Sequence, residues 1–226
     1  MPPKIIVSYD GTDNDRDALA LGQILAEAGA SLELAYVRHA HELDSGRERL
    51  AEEDARTLLR EGAEAAGMPD VPQHVVLSGS TPEGLRDLGL SSGAEVLAFG
   101  SEYRTAKGHV DPQRSARRLL DGGQFAIALA PAGLAENGGY AMRTVAAVGE
   151  GGDPCALETA ESLAGKVGAA VAKQADRSAD LLVVGSIPGT VTGRVRISAA
   201  AEYVIELASC PVLVLPRGVP VLFGGA

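Results

Sequence analysis

Two rhythms of apolar residues alternate along the chain. Apolar-rich stretches stand at Lys4–Tyr9, Leu32–Val37, Val75–Leu77, Ala94–Phe99 and Phe125–Ala130. Between them apolar residues return every three or four positions, as at Ala18, Leu21, Leu25 and Ala28, or fall on one side of a charged segment, as at Leu50, Leu58 and Leu59 within Arg47–Ala66. The first rhythm predicts strands covered on both faces and the second predicts amphipathic helices. The punctuation agrees. Asp10-Gly11-Thr12 marks a turn after the first strand, and Gly29 and Gly67 stop the first two helices. Thr12 with Asp15, and Ser80 with Glu83, have the spacing of capping boxes, and Pro82 suits a first helical turn. A loop spans Gly100–Pro112, and a helix over Arg114–Leu120 breaks at Gly122-Gly123. Strand and helix thus alternate five times by Ala130, which predicts βαβ units and a parallel sheet with helices on both faces.

The pattern then repeats. Ala94-Glu-Val-Leu-Ala-Phe-Gly-Ser101 returns as Ala179-Asp-Leu-Leu-Val-Val-Gly-Ser186, 85 residues later, and Pro131 and Gly133 return at Pro216 and Gly218 with the same offset. The first strand, Lys4–Asp10, aligns with Arg143–Gly149 at an offset of 139, so the second copy is 54 residues shorter in its middle. Gly168–Val171 has the composition of a second strand. Only residues 172–178 then separate it from Ala179, too few for an ordinary parallel crossover of a dozen or more. Ala169–Ser178 is therefore read as helical, and the second copy as lacking strands two and three. This gives a complete unit over 1–133, a linker over 134–142 containing Gly138-Gly139, and a truncated unit over 143–226. The first strand of the second unit would become a sheet edge, an element that must be paired or covered. The Val219–Phe223 tail is a candidate cover or partner-binding segment.

The strand ending Val7-Ser-Tyr-Asp10-Gly11-Thr12, the run closing on Ser186 and the segment Ser209-Cys-Pro-Val-Leu-Val-Leu-Pro216 together resemble the universal stress protein family, here as a tandem pair. The resemblance covers Lys4–Pro131 and Arg143–Pro216. It implies two Rossmann-like units with strand order 3-2-1-4-5 in the first, a homodimer or an intramolecular pairing of the two units through strand five, and a stress-response role in the cytoplasm. In the nucleotide-binding branch it also implies ATP or AMP at the carboxyl ends of strands one and four, where open α/β sheets hold ligands. Mapped onto this chain, that site comprises Asp10, Gly11, Val37, Gly100, Ser101 and Ser115. An acid there would bond base or ribose, while glycines and a hydroxyl would approach phosphates.

The branch's G-x2-G-x9-G-[ST] loop is eroded in both copies. Gly100 fits, but Tyr103, Gln113 and Arg114 occupy the other three positions. In the second copy Gly185 fits, and Pro188, Ser198 and Ala199 follow. Gly149 replaces the acid of strand one. Side chains at such points block close backbone approach. Arg114 is suited to pairing a phosphate, or to a solvated helix face together with Arg117 and Arg118. The expected function is a non-enzymatic regulatory or interaction module that carries no cofactor. The alternative is an ATP or AMP sensor using the first unit alone.

Charge and composition narrow the remaining classes. Twenty Lys and Arg against thirty Asp and Glu give −10, which disfavours nucleic acid and anionic membranes as partners. Aromatic residues are 4% and Trp is absent, too few for a base-stacking surface. Cys155 and Cys210 cannot form a disulfide framework. Cys155 follows Asp-Pro at a helix start, where a thiol pKa can fall, but both cysteines are read as buried or incidental thiols. His39 and His41 have no cysteine near them, so no metal site is expected. The chain opens Met1-Pro-Pro-Lys4 straight into a strand, with no signal peptide read there, and no apolar run reaches bilayer length. Asp10-Gly11-Thr12 echoes a phosphatase motif, but Ser8 stands where that motif places its nucleophilic aspartate. P-loop and Gly-x-Ser-x-Gly motifs are absent, and the loop after strand one differs from the Ser-Gly-Gly-x-Asp-Ser loop of pyrophosphate-cleaving ATPases with this sheet order.

Overall fold

A computed structural model describes residues 1–40, 42–149, 151, 153–174 and 178–224. Nine strands form one sheet: β1 (Lys4–Ser8), β2 (Ser31–Arg38), β3 (Gln73–Leu77), β4 (Val96–Phe99), β5 (Ala126–Leu129), β6 (Thr144–Val148), β7 (Ala170–Ala172), β8 (Leu181–Val184) and β9 (Val212–Val214). Among the described residues six α-helices cover it: α1 (Asp13–Glu27), α2 (Ser45–Ala65), α3 (Thr81–Ser92), α4 (Arg114–Leu120), α5 (Cys155–Val167) and α6 (Ala199–Glu206). The strand order is β3-β2-β1-β4-β5-β9-β8-β6-β7. Every neighbouring pair is parallel except β5 and β9, which run antiparallel with Ile127 opposite Val214 and Leu129 opposite Val212.

Strand residues are buried because both faces are covered. Ile5, Val7, Val96 and Ala128 face α1 and α2 in one apolar layer, which continues through Val145, Val183 and Leu213 beneath α5. Ile6, Leu97, Phe99 and Ile127 face α3 and α4 in the other layer, which continues through Ala146, Val184 and Val214 beneath α6. Alternating residues of each strand thus serve opposite layers, as the strand period requires.

Two expectations need correction. First, the segment read as a helix over 169–178 begins as a strand: Ala170–Ala172 forms β7, paired parallel to β6, so the second half retains a counterpart of β2, while residues 175–177 of that segment lie outside the described residues. The crossover rule misled because it presumes strands of ordinary length. Ala172 lies opposite Ala146, and Leu181 lies opposite the adjacent Val145, so the chain from β7 to β8 climbs back by a single residue. The sheet edge on this side is therefore β7, with β6 held between β7 and β8. Second, neither anticipated capping box forms. Thr12 and Ser80 make no side-chain cap. The Asp10 carboxylate accepts the Thr12 N–H, and the Asp15 carboxyl accepts that of Asp10. Helix α2 is instead capped by Asp44, which accepts the N–H groups of Gly46 and Arg47 at 3.0 Å.

Side-chain staples recur through the chain. Ser101 donates to the Ala130 carbonyl (2.7 Å) and accepts the Asp111 N–H (3.2 Å). Ser186 donates to the Leu215 carbonyl (2.7 Å) and accepts the Arg196 N–H (3.0 Å), each partner 85 positions on. Asp17 accepts the N–H groups of Gly133 and Ala135. Asp153 correspondingly accepts that of Gly218. The Val219–Phe223 tail lies on α5 of its own chain, where Val221 and Phe223 are buried and donate N–H bonds to Thr159 and Ser162.

Candidate functional site

The carboxyl ends of β1 and β4 meet at the first turn of α1. Asp10, just beyond β1, is exposed, but its carboxylate is already engaged with the Thr12 N–H (3.1 Å). Asp15 is 4% exposed and lies against it. Burial, the hydrogen bond to Asp10 and the charge of Asp10 push the Asp15 carboxyl up to about 8. Burial also acts to raise Asp10, but hydrogen bonds from Asp15 and Thr12 outweigh it and hold that carboxyl below its ordinary value. At neutral pH the pair holds one proton, on Asp15, and Asp10 carries the charge.

The glycines here serve the protein's own packing. Gly11 adopts φ +85°, and a Cβ there would sit 2.5 Å from Cδ1 of Leu58, which reaches over from α2. Gly100 lies on the main chain of Asn14, so that a Cβ would run into the Asn14 carbonyl. That close approach seats the end of β4 on the start of α1. Ser101 is buried, and its hydroxyl is spent on the Ala130 carbonyl and the Asp111 N–H. Val37 points to the other face, with a methyl 3.0 Å from where a Cβ on Gly84 of α3 would stand. Ser115 lies on that same side, in a cleft between α3 and α4. The six candidate residues therefore do not converge. Asp10, Gly11 and Gly100 gather at α1, Ser101 is interior, and Val37 and Ser115 belong to the opposite layer.

The second half closes its equivalent crevice by another route. Pro188, after β8, packs against Gly151, after β6, at a point where any Cβ would clash. Arg217 pairs with Asp153 at 3.4 Å beside it. Burial alone would raise Asp153, but bonds from Cys155 and Gly218 and the charge of Arg217 bring it below the ordinary range. Cys155 is a buried free thiol, as expected of it, rather than an activated one. Burial, then its hydrogen bond to Asp153, pushes its thiol up to about 12, so the helix start does not activate it. Cys210 is likewise raised to about 12 by burial.

His39 is held at both ring nitrogens, by the Ser78 carbonyl (3.3 Å) and the Thr81 hydroxyl (3.2 Å), and His41 lies outside the described residues. Among the described residues no cluster of three or more His, Cys, Asp or Glu is placed to hold a metal, and no helix is long and apolar enough to cross a membrane. The cleft containing Ser115 also holds His39, Thr81, Arg114 and Arg118. Its members come from three places, the end of β2, the start of α3 and α4, and motif matching reached only Arg114 and Ser115 among them.

No protein-family profile matches the chain, and no curated protein matches it. Solved structures do. A universal stress protein from Archaeoglobus fulgidus DSM 4304 superposes with a TM-score of 0.68 at 16% identity, over 95% of this chain and 98% of that one. A functionally unknown protein from Pseudomonas aeruginosa PAO1 gives 0.61 at 15% identity, over 96% and 93%. A universal stress protein candidate from P. aeruginosa UCBPP-PA14 gives 0.56 at 14%, over 96% and 94%. With a mostly parallel sheet, helices on both faces and the order 3-2-1-4-5 in its first five strands, the chain has the universal stress protein fold.

Proposed function

We propose that the chain is a tandem universal stress protein, acting in the cytoplasm as a non-enzymatic regulatory or interaction module that does not hold ATP or AMP at the ends of β1 and β4. One observation carries this reading: at both strand ends the protein packs closely on itself, Gly100 on the Asn14 main chain in the first half and Pro188 on Gly151 in the second. A phosphate needs bare backbone N–H groups at such a place. Here Gly100 approaches the Asn14 carbonyl, and the Ser101 and Ser186 hydroxyls are consumed by carbonyls.

The staples repeated at an interval of 85 residues support a duplicated unit, with the boundary in the 134–142 segment. The β5–β9 ladder supports pairing of the two units through strand five within one chain. It occupies the edge that strand-five pairing between chains would use, so a homodimer would be built on β3 or β7. The acidic balance supports partners other than nucleic acid or anionic membrane.

The test is calorimetric titration of the purified chain with ATP and AMP, with mass spectrometry of what it carries on extraction. The expected result is no bound nucleotide and no saturable heat. Adenylate bound tightly beside Asp10 overturns the reading and favours the sensor. Turnover in a phosphatase and ATPase panel that is lost on changing Asp10 overturns the non-enzymatic part.

A further inference from the structure

The two halves are built alike at their seam, but only one of them is filled there. Because β9 runs antiparallel to β5, the carboxyl end of each of these strands lies beside the amino end of the other. The chain leaving β5 must reach the amino end of β6, so residues 134–142 cross the amino ends of β9 and β8. Tyr140 is lodged in that crossing. Its hydroxyl donates to the Asp180 carbonyl just before β8, and burial, with Cys210 and Asp180 beside it, holds the hydroxyl above its ordinary pKa. The chain leaving β9 turns instead onto α5, where Val221 and Phe223 bond Thr159 and Ser162, and the amino ends of β4 and β5 are left open.

The result is a cleft of about 340 Å³ at the place that corresponds to the seat of Tyr140. Ala94, Glu95 and Phe125, the counterparts of Ala179, Asp180 and Cys210, line one wall, and Pro216, Val219 and Val221 line the other. The lining is mainly apolar, and Leu90 and Val219 in it are 58% and 40% exposed. Two differences separate this place from the filled one. Pro211 has no N–H, which leaves the Asp180 carbonyl to the Tyr140 hydroxyl, whereas the Ala126 N–H takes the corresponding Glu95 carbonyl at 3.0 Å. The Asp180 carboxylate is turned onto the N–H groups of Arg143 and Thr144, whereas Glu95 is exposed at the rim.

We propose that this cleft receives an aromatic side chain, carried next to a basic residue on an extended segment of a partner polypeptide. The chain itself fills the corresponding place with a tyrosine on a linker of no regular structure. A ring supplies a large apolar area while losing little conformational freedom, and Phe125 offers it an edge or a face. The ring's hydroxyl is dispensable here because the Glu95 carbonyl is already bonded, and the Glu95 carboxylate favours a cation beside the ring. The proposal gives the interaction module a partner chemistry and takes its role from that reading. Its site is separate from the nucleotide question, since Ala94 and Phe125 precede their strands whereas Asp10 and Gly100 follow theirs.

The experiment is a titration of the full-length ¹⁵N-labelled chain with a capped peptide copying residues 137–143, Asn-Gly-Gly-Tyr-Ala-Met-Arg. Saturable amide shifts at Glu95, Gln124, Phe125 and Val219 are expected, with a Kd below about 5 mM. In the peptide, Tyr140→Ala should weaken binding more than about tenfold, Tyr140→Phe should stay within about threefold, and Arg143→Glu should weaken it. In the protein, Val219→Asp should weaken binding more than about tenfold, and Leu222→Asp, exposed on the same tail but outside the cleft, should not. Both positions are exposed, and the dispersion of each variant's spectrum reports its fold directly. The proposal is overturned by the absence of saturable shifts, by equal binding of the Tyr140→Ala peptide, or by a Val219→Asp chain that binds as the parent does. Shifts falling on Asp180 and Cys210 instead would also overturn it, because the peptide would then be replacing Tyr140 in its own seat. Binding of p-cresol as tight as that of the peptide would overturn the polypeptide partner, and displacement of the peptide by AMP would overturn the separate site. AMP shifting Asp10 and Gly100 while the peptide still binds would refute the nucleotide-free reading and leave this cleft standing.

Discussion

Asp15 is the residue whose chemistry departs furthest from its sequence expectation. In the folded chain it keeps its proton up to about pH 8, and in the unfolded chain it releases it near the ordinary value of 3.8. Between those values the native state binds the extra proton, so stability falls as pH rises. The decline is on the order of a few kcal/mol, and Asp10 contributes the opposite slope only below the ordinary carboxylate range. Asp15→Asn supplies a neutral group that still accepts the Asp10 N–H and donates to the Asp10 carboxylate. Urea melts between pH 5 and 8 should show the midpoint of the parent falling and that of Asp15→Asn staying flat, with the variant the more stable protein at pH 8. A parent profile as flat as the variant's would mean that Asp15 ionises normally. Gly100 gives a steric counterpart. Gly100→Ala drives a methyl into the Asn14 carbonyl and should cost about 2–3 kcal/mol or more by chemical denaturation. Gly138→Ala, with nothing within 4 Å of the new methyl, should change stability by less than about 0.5 kcal/mol.

Elements are tied down by the two serine staples, and their likeness is quantitative. Ser101 and Ser186 are both at most 1% exposed, and each bridges the end of one strand to the loop that returns from it. Removing either hydroxyl strands a buried carbonyl and a part-buried N–H. Ser101→Ala and Ser186→Ala should therefore each cost about 1–3 kcal/mol in denaturation midpoints, and by similar amounts. A large loss at one and none at the other would show that the two loops are not equivalent. These elements were legible in the sequence because unbroken apolar strands and glycine stops are strong local signals, and because Ala94–Ser101 and Ala179–Ser186 repeat residue for residue in character. β7 was not legible. Its three residues carry no periodicity, and its short return to β8 violates a length rule that holds only for longer strands. The candidate site was legible only in part. The motif spacing singled out Gly100, with Ser115 one position off the pattern, but nothing local reveals that Leu58 comes from α2 to cover Gly11, or that Arg114 shares a cleft with the loop before α3. Such contacts depend on tertiary packing and leave no trace at the level of spacing.

The whole molecule is organised around the antiparallel seam of β5 and β9, the one reversal in an otherwise parallel sheet among the described residues. Beside it, α4 and α6 flank a cleft of about 410 Å³ lined by equivalent positions of the two halves, Arg117 with Glu202 and Asp121 with Glu206. Each apolar layer crosses the seam without a break, from Val7 and Leu59 to Leu163 and Phe223 on one face, and from Phe99 to Ile205 on the other. A chain of this length often unfolds in stages, one unit before the other. Here either half unfolding alone would expose the edge of β5 or β9 and one end of both layers, so the halves should melt as a single unit. Leu163 in α5 and Leu59 in α2 are both fully buried, and Leu→Ala at either should cost about 2–5 kcal/mol. Calorimetry should show one transition that moves downward in each variant. Exchange of the Ile6 amide in β1 should accelerate in Leu163→Ala as much as that of Ala146 in β6, although Ile6 belongs to the other half. Two separate transitions, or acceleration confined to the mutated half, would mean that the β5–β9 ladder joins the halves without coupling their stability.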